Sequence, residues 1–423
     1  MKSRINLITP YIVLLSFVIT TNTLAQTPEN KTSSEDYLHH TIQVSFLPYI
    51  GTVGFLSNQV TCDLSLNILA GYVKEVHSAE FGGLFNLVRK NAGKCQIAGL
   101  GNMVGGTSYG LQCAGIINLS KNLKGIQFAG NINFAGNASG MQIAGLLNQA
   151  NKGKCSQISG LVNNANEASV FQIAGLLNNS SKVESFQIAG WANNTKDSIK
   201  LQIAGLANNT NSNTKIQIAG LVNNASGVAN VQISGLVNRT SFLKGVQIGF
   251  LNISDSCQGI PIGVINLVKN GYHKIEISGD EMFYTNVAFR SGIKKLHSIL
   301  IAGIQPDNFN SSLWTYGCGF GSSFSLNEKT LIDIDATFQH IIKEDYVGNN
   351  YLYKLAVGID HQLRGKTSVY IGATYNFLVT DTKYSKYTDK FSSIAPYHFT
   401  NHTNNNGFNL KSWAGIKVGL RFL

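Results

Sequence analysis

Asp333 and Asp335 are the residues whose type and spacing come closest to chemistry. Carboxylates two positions apart share one face of a strand and could divide acid and base roles as in a glycosidase. Lys354, Asp360, Lys417 and Arg421 are expected on the same inward side, and a set carrying both signs favours an ion-pair network filling a narrow interior. Gly317-x-Gly319-x-Gly321 has the outline of a phosphate loop, yet it lies within an alternating strand, where glycine makes room. The 9 histidines show no H-E-x-x-H or other paired ligand spacing, and His39-His40 is expected to be solvated. Cysteines 62, 95, 113, 155, 257 and 318 have neither metal spacing nor the density of a disulfide framework, and are expected as small hydrophobes. The sequence therefore predicts no catalytic residue, cofactor or metal site.

A different chemistry, amide pairing, dominates the middle of the chain. Aligning on glutamine gives a period of 15 residues through Gln142, Gln157, Gln172, Gln187, Gln202, Gln217, Gln232 and Gln247. Each full copy follows Gln142-Ile143-Ala144-Gly145-Leu146-Leu147-Asn148, with asparagine recurring at 148, 163, 178, 193, 208 and 223. Such a unit is too short for two helices, and its apolar residues flank Gln with period two. One short strand per repeat, followed by an Asn- and Ser-rich turn, predicts a parallel β-solenoid over 59–270 with atypical end rungs. Stacking would set Gln142, Gln172, Gln187, Gln202 and Gln217 in one amide ladder and Asn148, Asn178, Asn193, Asn208 and Asn223 in another. These ladders are the candidate binding surface. Two placements stay open for Leu146, Leu161, Leu176, Trp191, Leu206, Leu221 and Leu236: a glycine corner that turns them inward, or an exposed apolar stripe for docking. The alternative architecture makes each repeat one strand of a larger antiparallel barrel.

Past residue 270 the alternation lengthens and becomes aromatic. Ile332, Ile334, Ala336 and Phe338 oppose Asp333, Asp335, Thr337 and Gln339, and Trp314, Tyr316, Cys318 and Phe320 oppose residues 315, 317, 319 and 321. Apolar outside and polar or glycine inside is the pattern of a bilayer-spanning barrel, expected over 271–423. Residues 274–290 read as a single strand. Ile42 to Leu47, within the segment 26–58, supplies a first strand and brings the count to eight, which makes the repeats a large insertion in a surface loop.

Only 13% of the 423 residues are charged, against about 25% in ordinary soluble domains. The formal net charge is +11, with lysines diluted among Asn and Ser, a pattern that points away from nucleic acid. Residues 1–25 read as a secretory signal, with Lys2 and Arg4 before an apolar stretch and cleavage expected between Ala25 and Gln26.

The signal, the tandem Gln-Ile-Ala-Gly-Leu-x-Asn units, Asn270 to Lys274 and the ending Lys417-Val418-Gly419-Leu420-Arg421-Phe422-Leu423 together resemble a family of Gram-negative outer-membrane surface-repeat proteins. The resemblance implies outer-membrane lipid and the barrel assembly machinery as partners, and no activity. The resulting expectation is a non-enzymatic cell-surface protein that displays an extracellular solenoid for adhesion or for a glycan or protein ligand. The rivals are an outer-membrane channel and, third, a surface enzyme using the lumen acids.

Overall fold

The computed structural model describes residues 38–305, 313–343, 349–381, 397–403 and 407–422. The expected signal and its Ala25–Gln26 cleavage point lie outside them. Two all-β bodies follow one another: a solenoid of about 14 coils and a closed antiparallel barrel of eight strands.

Neighbouring coils are parallel and in register. Gln142 pairs with Gln157 and Asn133 with Asn148, so like residues stack across the 15-residue period. This excludes the larger antiparallel barrel. Each coil contains two strand segments where the sequence predicts one. In one coil, Leu147–Lys152 carries the Asn and Lys154–Ser159 carries the Gln. The residues after Asn look like turn formers, but they alternate too: Asn148 and Ala150 point in, while Leu147 and Gln149 are half-buried outside.

Glycine at the corner between the segments is required by contact. A Cβ on Gly175 would stand 2.0 Å from the carbonyl oxygen of Gly160, and one on Gly190 2.1 Å from that of Gly175. The glycine itself lies exposed against the preceding coil's carbonyl, and the residue after it also points out. Leu146, Leu161, Trp191, Leu206, Leu221 and Leu236 are accordingly exposed, and Trp191 retains 55% of its surface. The inward-turning corner is not what forms, and the apolar stripe is.

The barrel runs through Tyr272–Asp280, Thr285–Ile293, Leu296–Gln305, Leu313–Ser325, Thr330–Lys343, Tyr351–Arg364, Thr367–Asp381 and Phe408–Phe422, and closes by pairing Ile275 with Phe422. Two expectations are corrected here. Ile42 to Leu47 belongs to the first solenoid coil, where Ser45 and Phe46 carbonyls accept from Ile68 and Leu69 N–H groups. The eighth strand comes instead from 274–290, which is a hairpin. Asp280 accepts from the N–H groups of Met282 and Phe283, at 3.0 and 2.9 Å, and folds the turn. Outward parity survives that turn, from Ile275 and Ile277 to Val287, and for this reason the segment looks continuous in sequence.

The chain enters the barrel at Tyr272, which pairs with Gly292 beside the short turn joining Ile293 to Leu296. The turns after Ser325 and Arg364 and the last strand's end at Phe422 lie at this same end. The solenoid therefore adjoins the short-turn end of the barrel, and the longer connections lie at the other.

Candidate functional site

Both bodies put polar groups inside. In the solenoid, Gln202 donates to Gln187 Oε1 at 2.8 Å and accepts from Gln217 at 2.7 Å, and the same bond links each glutamine from Gln112 to Gln247 to the coil before it. Asparagines donate the other way: Asn193 to Asn208 at 2.9 Å and Asn208 to Asn223 at 3.0 Å, with a second N–H on the carbonyl of the following coil. The expected amide ladders exist, but not as a surface. Gln142, Gln172, Gln187, Gln202 and Gln217 are 0% exposed, and Asn148, Asn178, Asn193, Asn208 and Asn223 at most 1%. Burial is what makes the pairing necessary, because a buried amide without partners is costly.

The ladders have defined ends. At the first coils Glu80 stands in the glutamine slot and accepts from Gln96 at 2.8 Å and Asn67 at 3.0 Å. Burial pushes the Glu80 carboxyl up to about 7, against the opposing pull of those hydrogen bonds. At the other end Pro261 takes the glutamine slot, and Gln247 Oε1 has no partner among the described residues. The asparagine ladder does not stop there. Asn266 passes its N–H to Ser298 Oγ at 3.3 Å, and its backbone N–H to Ser291 Oγ at 3.1 Å. Arg290 and His297 point into the lumen, so by alternation Ser291 and Ser298 face outward, and the last coil seats on the barrel's outer wall.

An outer amide row that the sequence reading did not single out runs one residue after the ladder asparagines 163, 178, 193, 208 and 223. Asn179 donates to Asn164 at 2.7 Å, Asn194 to Asn179 at 2.8 Å, Asn209 to Asn194 at 2.7 Å and Asn224 to Asn209 at 2.7 Å. These side chains are exposed or half-buried. Their signal was the doubled Asn-Asn at 178–179, 193–194, 208–209 and 223–224, which strand alternation sends to opposite faces.

In the barrel all six expected lumen charges are buried: Asp333, Asp335, Lys354, Asp360, Lys417 and Arg421. They do not form a reactive pair. Arg421 is bonded to Asp333, reaches Asp360 at 3.1 Å and Glu276 at 2.7 Å, and lies 4.1 Å from the Tyr370 ring centre. Arg290 grips Asp335 with two bonds, of 2.8 and 2.6 Å, and Glu276 at 2.8 Å. Lys417 binds Glu276 at 2.5 Å, while Lys354 is paired with Asp280 further up. Glu276 and Arg290, the hub of this network, were not singled out in the sequence. Their inward parity was available from Ile275, Ile277 and Phe289. Toward the long-connection end the lumen is filled by Met282, Phe283, Leu313, Ile341, Leu352, Leu378 and Trp413, all buried. Gly321 makes room as expected, since a Cβ there would stand 2.3 Å from Asp335 Oδ1.

Among the described residues all six cysteines are free thiols, and burial pushes those of Cys62 and Cys155 up to about 12. Comparison with family models, with curated proteins and with solved structures finds no match.

Proposed function

We propose that this protein is a non-catalytic scaffold, anchored in the outer membrane by its barrel and binding an extended ligand along its solenoid. The observation that carries the reading is the barrel's inversion: Trp314, Tyr316, Phe320, Ile334, Leu355, Val357 and Ile371 are exposed outside, over a charged interior. A wall of that kind needs lipid against it. The resemblance to outer-membrane surface-repeat proteins agrees with this location, and a barrel of this class would be inserted by the assembly machinery.

Two features revise the sequence expectation. Short turns of outer-membrane barrels face the periplasm, and the solenoid adjoins the short-turn end, so the periplasmic side replaces the extracellular one. The ladders expected to bind are interior, which leaves the outer row Asn164, Asn179, Asn194, Asn209 and Asn224 as the repeating polar surface. Each amide in it spends one N–H on its neighbour, and the second, which at Asn209 makes only a long 3.5 Å bond to Asn211, can turn to a ligand. Repeats at about 4.8 Å suit an extended polymer rich in hydroxyl and amide groups, such as a glycan.

The channel reading loses its support, because side chains occupy the lumen from the Arg421 network to the Trp413 cluster. The enzyme reading loses its base, because Asp333 and Asp335 are each engaged by arginine.

The test has two arms. Purified protein in planar bilayers is expected to give no step conductance, and regular steps would restore the channel. In detergent micelles, the protein is expected to co-sediment with insoluble cell-wall glycan, and a triple Asn179→Leu, Asn194→Leu, Asn209→Leu variant to lose binding at least tenfold. Unchanged binding by the variant would remove the outer row from the function.

A further inference from the structure

The solenoid is amphipathic along its whole length, and its two long edges differ. The glycine-corner edge carries Leu84, Ile116, Leu146, Leu161, Trp191, Leu206, Leu221, Leu236, Phe250 and Val264, every one exposed, with Asn131 the one polar interruption. At about 4.8 Å per coil the row is roughly 60 Å long. The opposite edge is polar, with Lys182, Asp197, Lys200, Asn213, Lys215 and Lys244. An apolar row on this scale, broken once, marks a contact surface.

What covers it is indicated at the junction. Ile248, Phe250, Ile262 and Val264 of the last coils line one groove together with Cys318 and Phe320 of the barrel wall. Cys318 and Phe320 belong to the barrel's outward row, so the solenoid edge meets that belt at the belt's own height. Whatever solvates the wall there also reaches the edge.

Resting on the proposed membrane location of the barrel, we infer that the solenoid lies along the membrane with its glycine-corner edge sunk into the acyl chains of the adjoining leaflet. Two further observations fit a lipid occupant. Lipid tolerates only backbone whose polar groups are internally paired. Along this edge Trp191 N–H donates to Leu176 O, Leu206 to Trp191 and Leu221 to Leu206, each at 3.0 Å. Depth agrees as well. Lys215 stands five residues from Gly220 along an extended segment, about 16 Å. That is close to half of a hydrocarbon core of about 30 Å, so the lysines reach headgroup level when the edge is buried. The outer Asn row, four residues past the corner glycine and so about 13 Å along the strand, then lies near headgroup level on the flank of the rod.

The chain has 3 tryptophans, and they report separately. Trp191 is on the edge, Trp314 on the barrel wall, and Trp413 is shut in the lumen. The full chain would be reconstituted in phosphatidylcholine liposomes with brominated acyl chains, as Trp314→Phe and as Trp191→Phe, and also challenged with aqueous iodide. In the Trp314→Phe protein, bromolipid is expected to lower the Trp191 emission at least twofold while iodide changes it little. Quenching of Trp191 by iodide, with Trp314 still quenched by bromolipid in the other variant, would overturn the inference and leave the barrel anchored. Shielding of Trp191 from both quenchers would assign the edge to a protein partner or second copy, and also overturn it. Failure of bromolipid to reach Trp314 would instead sink the membrane location itself.

Discussion

Solenoid and barrel solve one problem in two ways. Each turns apolar residues outward and must satisfy a polar interior. The solenoid does so with neutral amides, each donor and acceptor at once, so the same contact repeats for as many coils as the sequence supplies. Because Gln side chains donate toward the N-terminal end and ladder Asn side chains toward the C-terminal end, the dipoles of the two inner ladders oppose. The barrel uses charges across a closed lumen, and each partner there is unique: Glu276 alone meets Arg290, Arg421 and Lys417. A translational ladder can grow; a closed ionic network cannot.

The contrast is sharpest if one buried charge is deleted. Arg421→Met nearly keeps volume but strands Asp333, and takes one partner from Asp360, which keeps Lys274 at 2.6 Å, and one from Glu276, which keeps Arg290 and Lys417. Removing one side of a buried pair costs about 3–5 kcal/mol. The urea midpoint of the barrel, followed by the fluorescence of lumenal Trp413, is expected to fall accordingly. A change within about 0.5 kcal/mol would mean that the network contributes no more than surface pairs do.

Glu80 is the place where the solenoid departs from neutrality, and it gives the comparison a pH axis. Its carboxyl sits near 7 when folded and near 4.5 when exposed. Between those values the folded state holds the proton that the unfolded state has released. Stability from this group is therefore complete below pH 4.5, falls as pH rises, and is gone above pH 7, a loss of about 3 kcal/mol. Glu80→Gln should abolish that slope and leave the protein more stable than wild type at pH 8, measured as solenoid unfolding midpoints from pH 4 to 8. An unaltered slope in the variant would assign the titration elsewhere.

Legibility in the sequence follows the same division. The 15-residue period displays the ladders because identical residues must coincide in space, and the alternation from Ile332 to Phe338 displays the barrel wall because a strand with one face in a charged lumen and the other outside must change character at every residue. What stayed hidden depends on contacts between segments. The hairpin at Asp280 conserves parity and leaves no break, so nothing in the sequence marks Glu276 and Arg290 as facing the lumen from two strands, and Ile42 to Leu47 has the look of the eighth strand. Burial of the ladders was hidden for a different reason. Gln and Asn are ordinarily surface residues, and only stacking supplies the partners that let them go inside.

The smallest effect separates the two asparagines of a doublet. Asn208 is buried and bonds to Gln202 O at 3.3 Å, Ile218 O at 2.7 Å and Asn223 Oδ1 at 3.0 Å, while Asn193 bonds to it at 2.9 Å. Asn208→Ala leaves Ile218 O and Asn223 Oδ1 each short of a donor inside the coil, at about 2 kcal/mol in total. Its neighbour Asn209 bonds along the outer row to Asn194 and Asn224, and at 3.5 Å to Asn211 Oδ1, all at the solvent boundary where water can replace any partner. Asn209→Ala is expected to change stability by less than about 0.5 kcal/mol. Solenoid melting of the two single variants, differing by one position and nothing in side-chain type, measures what enclosure adds to an amide ladder. Equal losses would show that pairing along the rod, rather than the dry interior, is what makes the ladder count.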